Sequence, residues 1–283
     1  MRQIQPTIID SLAKNLLSNL RCKSRLWVLC YHSATDKMTG TIPSTTHNLN
    51  TLAIHLQLLQ YYGFNFVSGL QVSESLLQHK SLPPYPVLVT VDDGFKNFRT
   101  KILPFFEQLQ VPSIVFITTD YIDSDYIYTF SGWIRGDTGS CSSTEDIHED
   151  FLSLSSDDIR YLGKHPLVEV GAHTCTHPFL TRIPLDEACS EIKRSKTRLE
   201  QILNQNVDFF AYPHGDYSDE ITSYVARHFA LAFTVNRGTN GPDSNPIKLN
   251  RYSLKPKDTI NSLRSYIFCF YDLIRLFDGY RGK

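Results

Sequence analysis

Two adjacent carboxylates, Asp92 and Asp93, close the apolar run PVLVTV and are followed at once by Gly94. In a strand, neighbouring side chains point to opposite faces, so both acids can serve one place only if the strand ends there and turns. Gly94 permits such a turn. Two carboxylates held side by side repel one another and lose solvation, and a cation or a shared proton relieves both costs. Ligands for a cation follow in LVEVGAHTCTHPFL, where His173 and His177 stand four apart just beyond a second apolar run. That spacing predicts both imidazoles on one side of a helical turn. Two histidines and one aspartate make the three-ligand shell of a catalytic zinc-type site, with a position left for water or substrate. Cys175, between them, is expected to face away and pack as a small apolar residue.

The elements that must hold these residues alternate. Apolar runs predict strands at Trp27–His32, Phe64–Ser68, Pro86–Val91, Ser113–Thr118, Leu167–Ala172, Asp208–Tyr212 and Leu231–Val235, with amphipathic helices near 50–62, 97–109, 155–163, 184–204 and 218–228. Near-continuous apolar strands separated by helices imply parallel strands buried on both faces. The number of such units favours an α/β fold of the TIM-like (β/α)7 barrel type, in a single domain, over an open sheet. In a barrel, reactive residues collect where strands end and βα loops begin, which is where the acidic pair and the histidine pair both fall.

Composition adds bounds. The chain has 283 residues, 41% hydrophobic and 20% charged, with a formal net charge of -1. That is ordinary globular composition, and it gives no electrostatic ground for binding nucleic acid. Six cysteines are scattered without a CxxC, which reads as reduced thiols. The N-terminus lacks the apolar core of a signal peptide, so a cytoplasmic location is expected. Residues 1–25 carry Ile8, Ile9, Leu12, Leu16, Leu17 and Leu20 on one helical face, and 256–283 form a second aromatic-rich segment expected to be helical. Either segment suits packing on the barrel, or peripheral contact with a membrane or a biosynthetic complex. The barrel is expected over 26–255, interrupted by an insertion at 120–150 that holds eight acids against Arg135 alone.

TVDDGF and HTCTH, in this order and context, resemble the TFDDG and H(S/T)xxH motifs of the polysaccharide deacetylases, carbohydrate esterase family 4 with its NodB-homology domain. LCYHS, with Tyr31 and His32, resembles the first-strand segment of many members. The resemblance implies Asp92 as general base, and Asp93, His173 and His177 as ligands of a divalent metal: zinc first, with cobalt, nickel or manganese as alternatives. It implies hydrolysis of N-acetyl groups on a polysaccharide, oligosaccharide or lipid-linked glycan. Where members carry FRPPYG, this chain has FAYPHG, so Ala211 stands in place of the arginine that orients the base. Arg237 or Arg251 is expected to substitute. His214 is expected in a catalytic role, through its amide as oxyanion donor or its ring as acid, with His32 as the other acid candidate. Tyr212, Pro213, Arg251 and His32 are the expected substrate contacts. A hydrolase of another small amide, deformylase-like, and a non-catalytic glycan-binding relative are the competing readings.

Overall fold

The strands Trp27–Tyr31 (β1), Pro86–Val91 (β5) and Ser113–Ile117 (β6) are buried at every position, as strands covered on both faces must be. The structure, a computed structural model, describes residues 24–36, 44–124 and 149–256. The expected terminal helical segments and most of the 120–150 insertion therefore lie outside the described residues. Between β1 and β5 come a short parallel pair, Ser33–Thr35 (β2) and Thr46–Asn48 (β3), then helix Leu49–Tyr61 (α1), strand Asn65–Phe66 (β4) and helix Gly69–Gln78 (α2). After β5 a wide π-turn, Phe98–Ile102, runs into helix Leu103–Leu109 (α3). Ser156–Leu162 (α4), Val168–Ala172 (β7), Leu185–Leu203 (α5), Phe209–Ala211 (β8), Asp219–Val225 (α6), Leu231–Phe233 (β9) and Tyr252–Ser253 (β10) complete the order.

The principal sheet runs β10-β1-β5-β6-β7-β8-β9, with β4 beside the start of β5, and its ladders are parallel. The sheet curls until its ends meet. Leu249 bridges Phe233 of β9, and three residues later Tyr252 pairs Leu29 of β1. This is the distorted (β/α)7-type barrel of the sequence reading. Among the described residues no helix is long and apolar enough to cross a membrane.

Side-chain parity sorts the strands into two layers. Val28, Leu88, Ile114, Phe116, Phe209, Ala211, Leu231, Phe233 and Leu249 pack together inside the barrel, while Leu29, Val89, Val115, Val170, Phe210 and Ala232 pack outward under the helices. Continuing the inward series by twos leads to Cys30 on β1 and His32 just after it, Thr90 on β5 and Asp92 just after it, and His173 after β7. The reactive rim is thus the upper edge of the barrel's own interior. At the opposite end Glu169 accepts the N–H groups of Gly69 and Leu70 at 2.6 and 2.8 Å, so the start of α2 closes the floor, an anion at a helix N-terminus.

Some elements differ from expectation. α2 was not expected, although its capping box, Ser68 with Gln71, is written in the sequence. β2, β3 and β10 are too short for an apolar period to announce them, and β4 and β8 stop short of the predicted runs.

Gly171 lets the ring of Phe116 fill the barrel, since a Cβ there would meet Phe116 at 2.4 Å and the Phe209 carbonyl at 3.0 Å. Gly171→Ala is expected to overpack this layer and cost about 1–3 kcal/mol. A guanidinium unfolding midpoint unchanged from wild type contradicts this.

Candidate active site and metal centre

The rim is built from residues in a backbone region that side chains other than glycine rarely adopt. Asp93, Thr174, His177 and His214 have φ of 79, 65, 63 and 57°, and Gly94 has 75°. Each non-glycine residue there costs of order 1–3 kcal/mol and persists only where its surroundings hold it. Asp93 itself, together with Gly94, turns the chain at the end of β5, so two neighbouring carboxylates reach one rim. The returning limb of the insertion steadies the turn, with Leu154 donating to the Gly94 carbonyl and Lys96 to that of Leu152. The histidine pair corrects an expectation: no helical turn carries it. His173 and His177 lie in an irregular loop after β7 whose two left-handed residues, Thr174 and His177, bend it back on itself.

That loop brings His173 Nε2 to 3.6 Å and His177 Nε2 to 3.7 Å from Asp93 Oδ1. One ligand atom from each of the three residues lies within 4.8 Å of the others, and all three residues are buried. Oxygen and nitrogen donors sharing a tetrahedral zinc-sized ion sit about 3.4 Å apart, so small movements complete the set. His173 Nδ1 lies 2.7 Å from the Ala211 carbonyl. A carbonyl only accepts, so Nδ1 carries the proton and Nε2 presents its lone pair toward Asp93. Burial pulls the His173 pKa down to about 4. It pushes Asp93 well above the usual carboxylate range, with the charge on Asp92 adding to the effect. A buried carboxyl that gives up its proton on binding a metal, beside two neutral imidazoles, is a donor set that a divalent cation fits in ligand type.

Asp92 is held differently. Arg251 Nη1 donates to its Oδ1 at 2.7 Å and Nη2 to its Oδ2 at 2.8 Å, a two-pronged pair inside the barrel. Arg251 also donates from Nε to the Thr234 carbonyl at 2.8 Å and from Nη1 to Thr90 Oγ1 at 3.1 Å. The Cys30 thiol adds a contact to Asp92 Oδ2 at 3.5 Å. Burial works against the charged form of Asp92, but the charge and hydrogen bonds of Arg251, with His173 and His32 beside it, together hold the carboxyl well below its ordinary range. Two adjacent aspartates are thus pushed in opposite directions. Asp92 is locked as an anion by an arginine, and Asp93 is left facing two imidazoles.

The sequence pattern of the polysaccharide deacetylases matches residues 79–231. The chain belongs to the polysaccharide deacetylase family. YxkH of Bacillus subtilis, assigned to the same family, is 19% identical over 245 residues, covering 86% of this chain and 76% of YxkH. Among solved structures, IcaB from Ammonifex degensii superposes with a TM-score of 0.70 at 21% identity, over 86% of this chain and 97% of that one. The Streptococcus pyogenes deacetylase PplD, in complex with acetate, gives 0.68 at 22%, over 85% and 97%. These likenesses carry the barrel. Members of the family are hydrolases of carbon–nitrogen bonds other than peptide bonds, and this polysaccharide deacetylase-family chain is one of them.

Several expected contacts take other places. Of the two arginines left open, Arg251 reaches Asp92, while Arg237 is exposed, with its guanidinium over the Tyr252 ring. Arg251 is only 1% exposed, and its guanidinium is taken up by Asp92, Thr90 and the Thr234 carbonyl. Tyr212 is fully buried in the outward layer, its hydroxyl donating to the Ile247 carbonyl at 3.1 Å. Pro213 is buried as well. His32 remains partly exposed beside Asp92 and Cys30, its pKa drawn down to about 4 by burial. The His214 ring stacks on Phe179 at 3.8 Å, with Arg182 over the other ring's centroid at 4.0 Å, and its edge meets His177 at 4.4 Å. Cys30, Thr90 and Phe179 were not singled out from sequence, because nothing in their types or spacing separates them from core residues.

Removing the arginine alone leaves a buried charge uncompensated. Arg251→Ala is expected to destabilise the fold by about 3–5 kcal/mol, and Arg251→Ala combined with Asp92→Ala to recover part of that loss. Additive losses in a denaturation cycle would mean that the two side chains do not act as a pair.

Proposed function

We propose that this chain is a metal-dependent N-deacetylase that removes acetyl groups from N-acetylated sugars of a polysaccharide, oligosaccharide or lipid-linked glycan, with zinc as the resident ion. The observation that carries the reading is the division of labour between neighbouring aspartates. Asp93 with His173 and His177 offers a buried ligand set, while Asp92 stays ionised against Arg251 beside it. When bound, a divalent ion at Asp93, His173 and His177 supplies Lewis acidity toward an acyl oxygen and acidifies water. The acetate named with the Streptococcus pyogenes relative is the product this chemistry releases.

Asp92 takes the proton from the attacking water. Arg251 fixes the carboxylate's two oxygens, and its charge keeps the protonated state short-lived. A carboxyl held this acidic returns its proton readily, so Asp92 can also hand it to the departing nitrogen, a double role known for positioned carboxylates. The His214 N–H, in a left-handed residue directly after Pro213, is the donor we assign to the developing oxyanion, since Pro213 has no N–H to offer. The His214 ring, clamped against Phe179, holds that peptide in place. The non-catalytic glycan-binding reading rests on the arginine missing at Ala211 and on the lack of a late histidine; the pairing of Arg251, just before β10, with Asp92 speaks against the first ground.

The test is acetate release from N-acetylglucosamine oligomers, before and after chelation and on adding metal back. Activity should fall on chelation and return with Zn²⁺ or Co²⁺. Asp92→Asn should keep its metal yet lose about 10²-fold or more in turnover. Metal uptake by the wild type without acetate release from any N-acetylated glycan favours a binding protein instead.

A further inference from the structure

The loop that carries both histidine ligands has no regular structure of its own, and its middle is gripped by a residue from outside it. Glu191, on α5, accepts the N–H of Cys175 at 2.9 Å and that of Thr176 at 2.8 Å, both on Oε2. These are two of the three residues between His173 and His177. Directly after the left-handed Thr174, φ 65°, the two successive N–H groups converge on one oxygen, the form of an anion-binding nest. Here the anion is a side chain of the protein itself. The Cys175 thiol contacts the Glu191 carbonyl at 3.5 Å, so the loop also meets the helix backbone.

Placing a carboxylate there works against stability unless it does something. Glu191 is 7% exposed, on a helix whose other buried residues are Ala188, Ile192, Ser195 and Leu199. Removing a charge from water costs several kcal/mol unless hydrogen bonds replace the lost solvation. The loop's other ties act at its neighbours: Thr119 donates to the Thr174 carbonyl, Asp120 to that of Cys175, and His177 N–H to Thr174 Oγ1 at 3.0 Å. Those bonds fix carbonyls and the last N–H. The two central N–H groups, whose direction sets the spacing of the imidazoles, answer to Glu191.

We propose that Glu191 is a positioning residue for the metal centre: by binding the Cys175 and Thr176 N–H groups it holds the left-handed turn that keeps His173 and His177 at sharing distance around one cation. This rests on reading Asp93, His173 and His177 as metal ligands. Glu191 touches no metal and no substrate, and acts through the loop.

Metal-free protein titrated with Co²⁺ against a competing chelator, followed by the visible absorption of the bound ion, tests it without an activity assay. Glu191→Asp keeps the charge but withdraws the carboxylate by one methylene, and should weaken Co²⁺ binding by about 10- to 100-fold, as loss of a ligand-orienting partner does. Glu191→Gln keeps an oxygen at the same reach and should retain wild-type affinity. Thermal unfolding of each variant checks that it is folded. If Glu191→Asp binds Co²⁺ as tightly as wild type, or Glu191→Gln loses as much as Glu191→Asp, the positioning role is overturned while the ligand set stands. A wild-type chain that takes up no Co²⁺ removes the metal centre and this inference together.

Discussion

The buried pairing of Arg251 with Asp92 is the constraint on which the rest of the rim depends. An ionised carboxylate inside a barrel lined by Leu88, Phe116 and Phe233 is tolerable only with a cation against it. Arg251 meets that need with two parallel hydrogen bonds. Its Nε bond to Thr234 anchors the guanidinium to the strand end after β9, so the charge cannot follow a mobile side chain. Asp92 is then free of any need for a metal, and the neighbouring Asp93 is the carboxylate left for one. The opposite pKa shifts of the two acids reflect this difference: Arg251 offsets burial at Asp92, while burial and the Asp92 charge both act against an anion at Asp93.

Much of the fold was legible because its strands are buried on both faces. PVLVTV, SIVFIT and VEVGA are runs that only a covered parallel strand tolerates, and the helices between them have a readable period. The shorter pieces were not legible. A two-residue strand such as Tyr252–Ser253 has no period, and what makes it a strand is its pairing with β1, a long-range fact. The metal-ligand set was suggested by chemistry and spacing, yet the reason given for the histidine pair, a helical turn, does not match its backbone. Four residues of separation suit a helix, but they also suit a loop with two left-handed residues, and composition does not distinguish them.

Arg251 shows the limit most clearly. Neither Arg251 nor Arg237 sits in a motif that marks it, both follow α6, and only the closing of the sheet decides which one enters the barrel. Glu191 was invisible for a related reason. It is one of many charged residues on α5, and its burial depends on the loop that lies against it. In both cases the informative property is what a side chain faces across the fold.

The backbone strain at Asp93, Thr174, His177 and His214 is distributed over three separate strand ends, and each is held by a different clamp: the returning insertion limb, Glu191, and the Phe179 stack. Arg251 stands 159 positions after Asp92 in the chain. At a synthesis rate of about 5–20 residues per second, the carboxylate leaves the ribosome roughly 8–30 s ahead of its counter-ion. During that interval the growing polypeptide has an unpaired acid where the barrel's interior must form, so the segment that leads into β10 is also the one that makes the pocket electrostatically habitable.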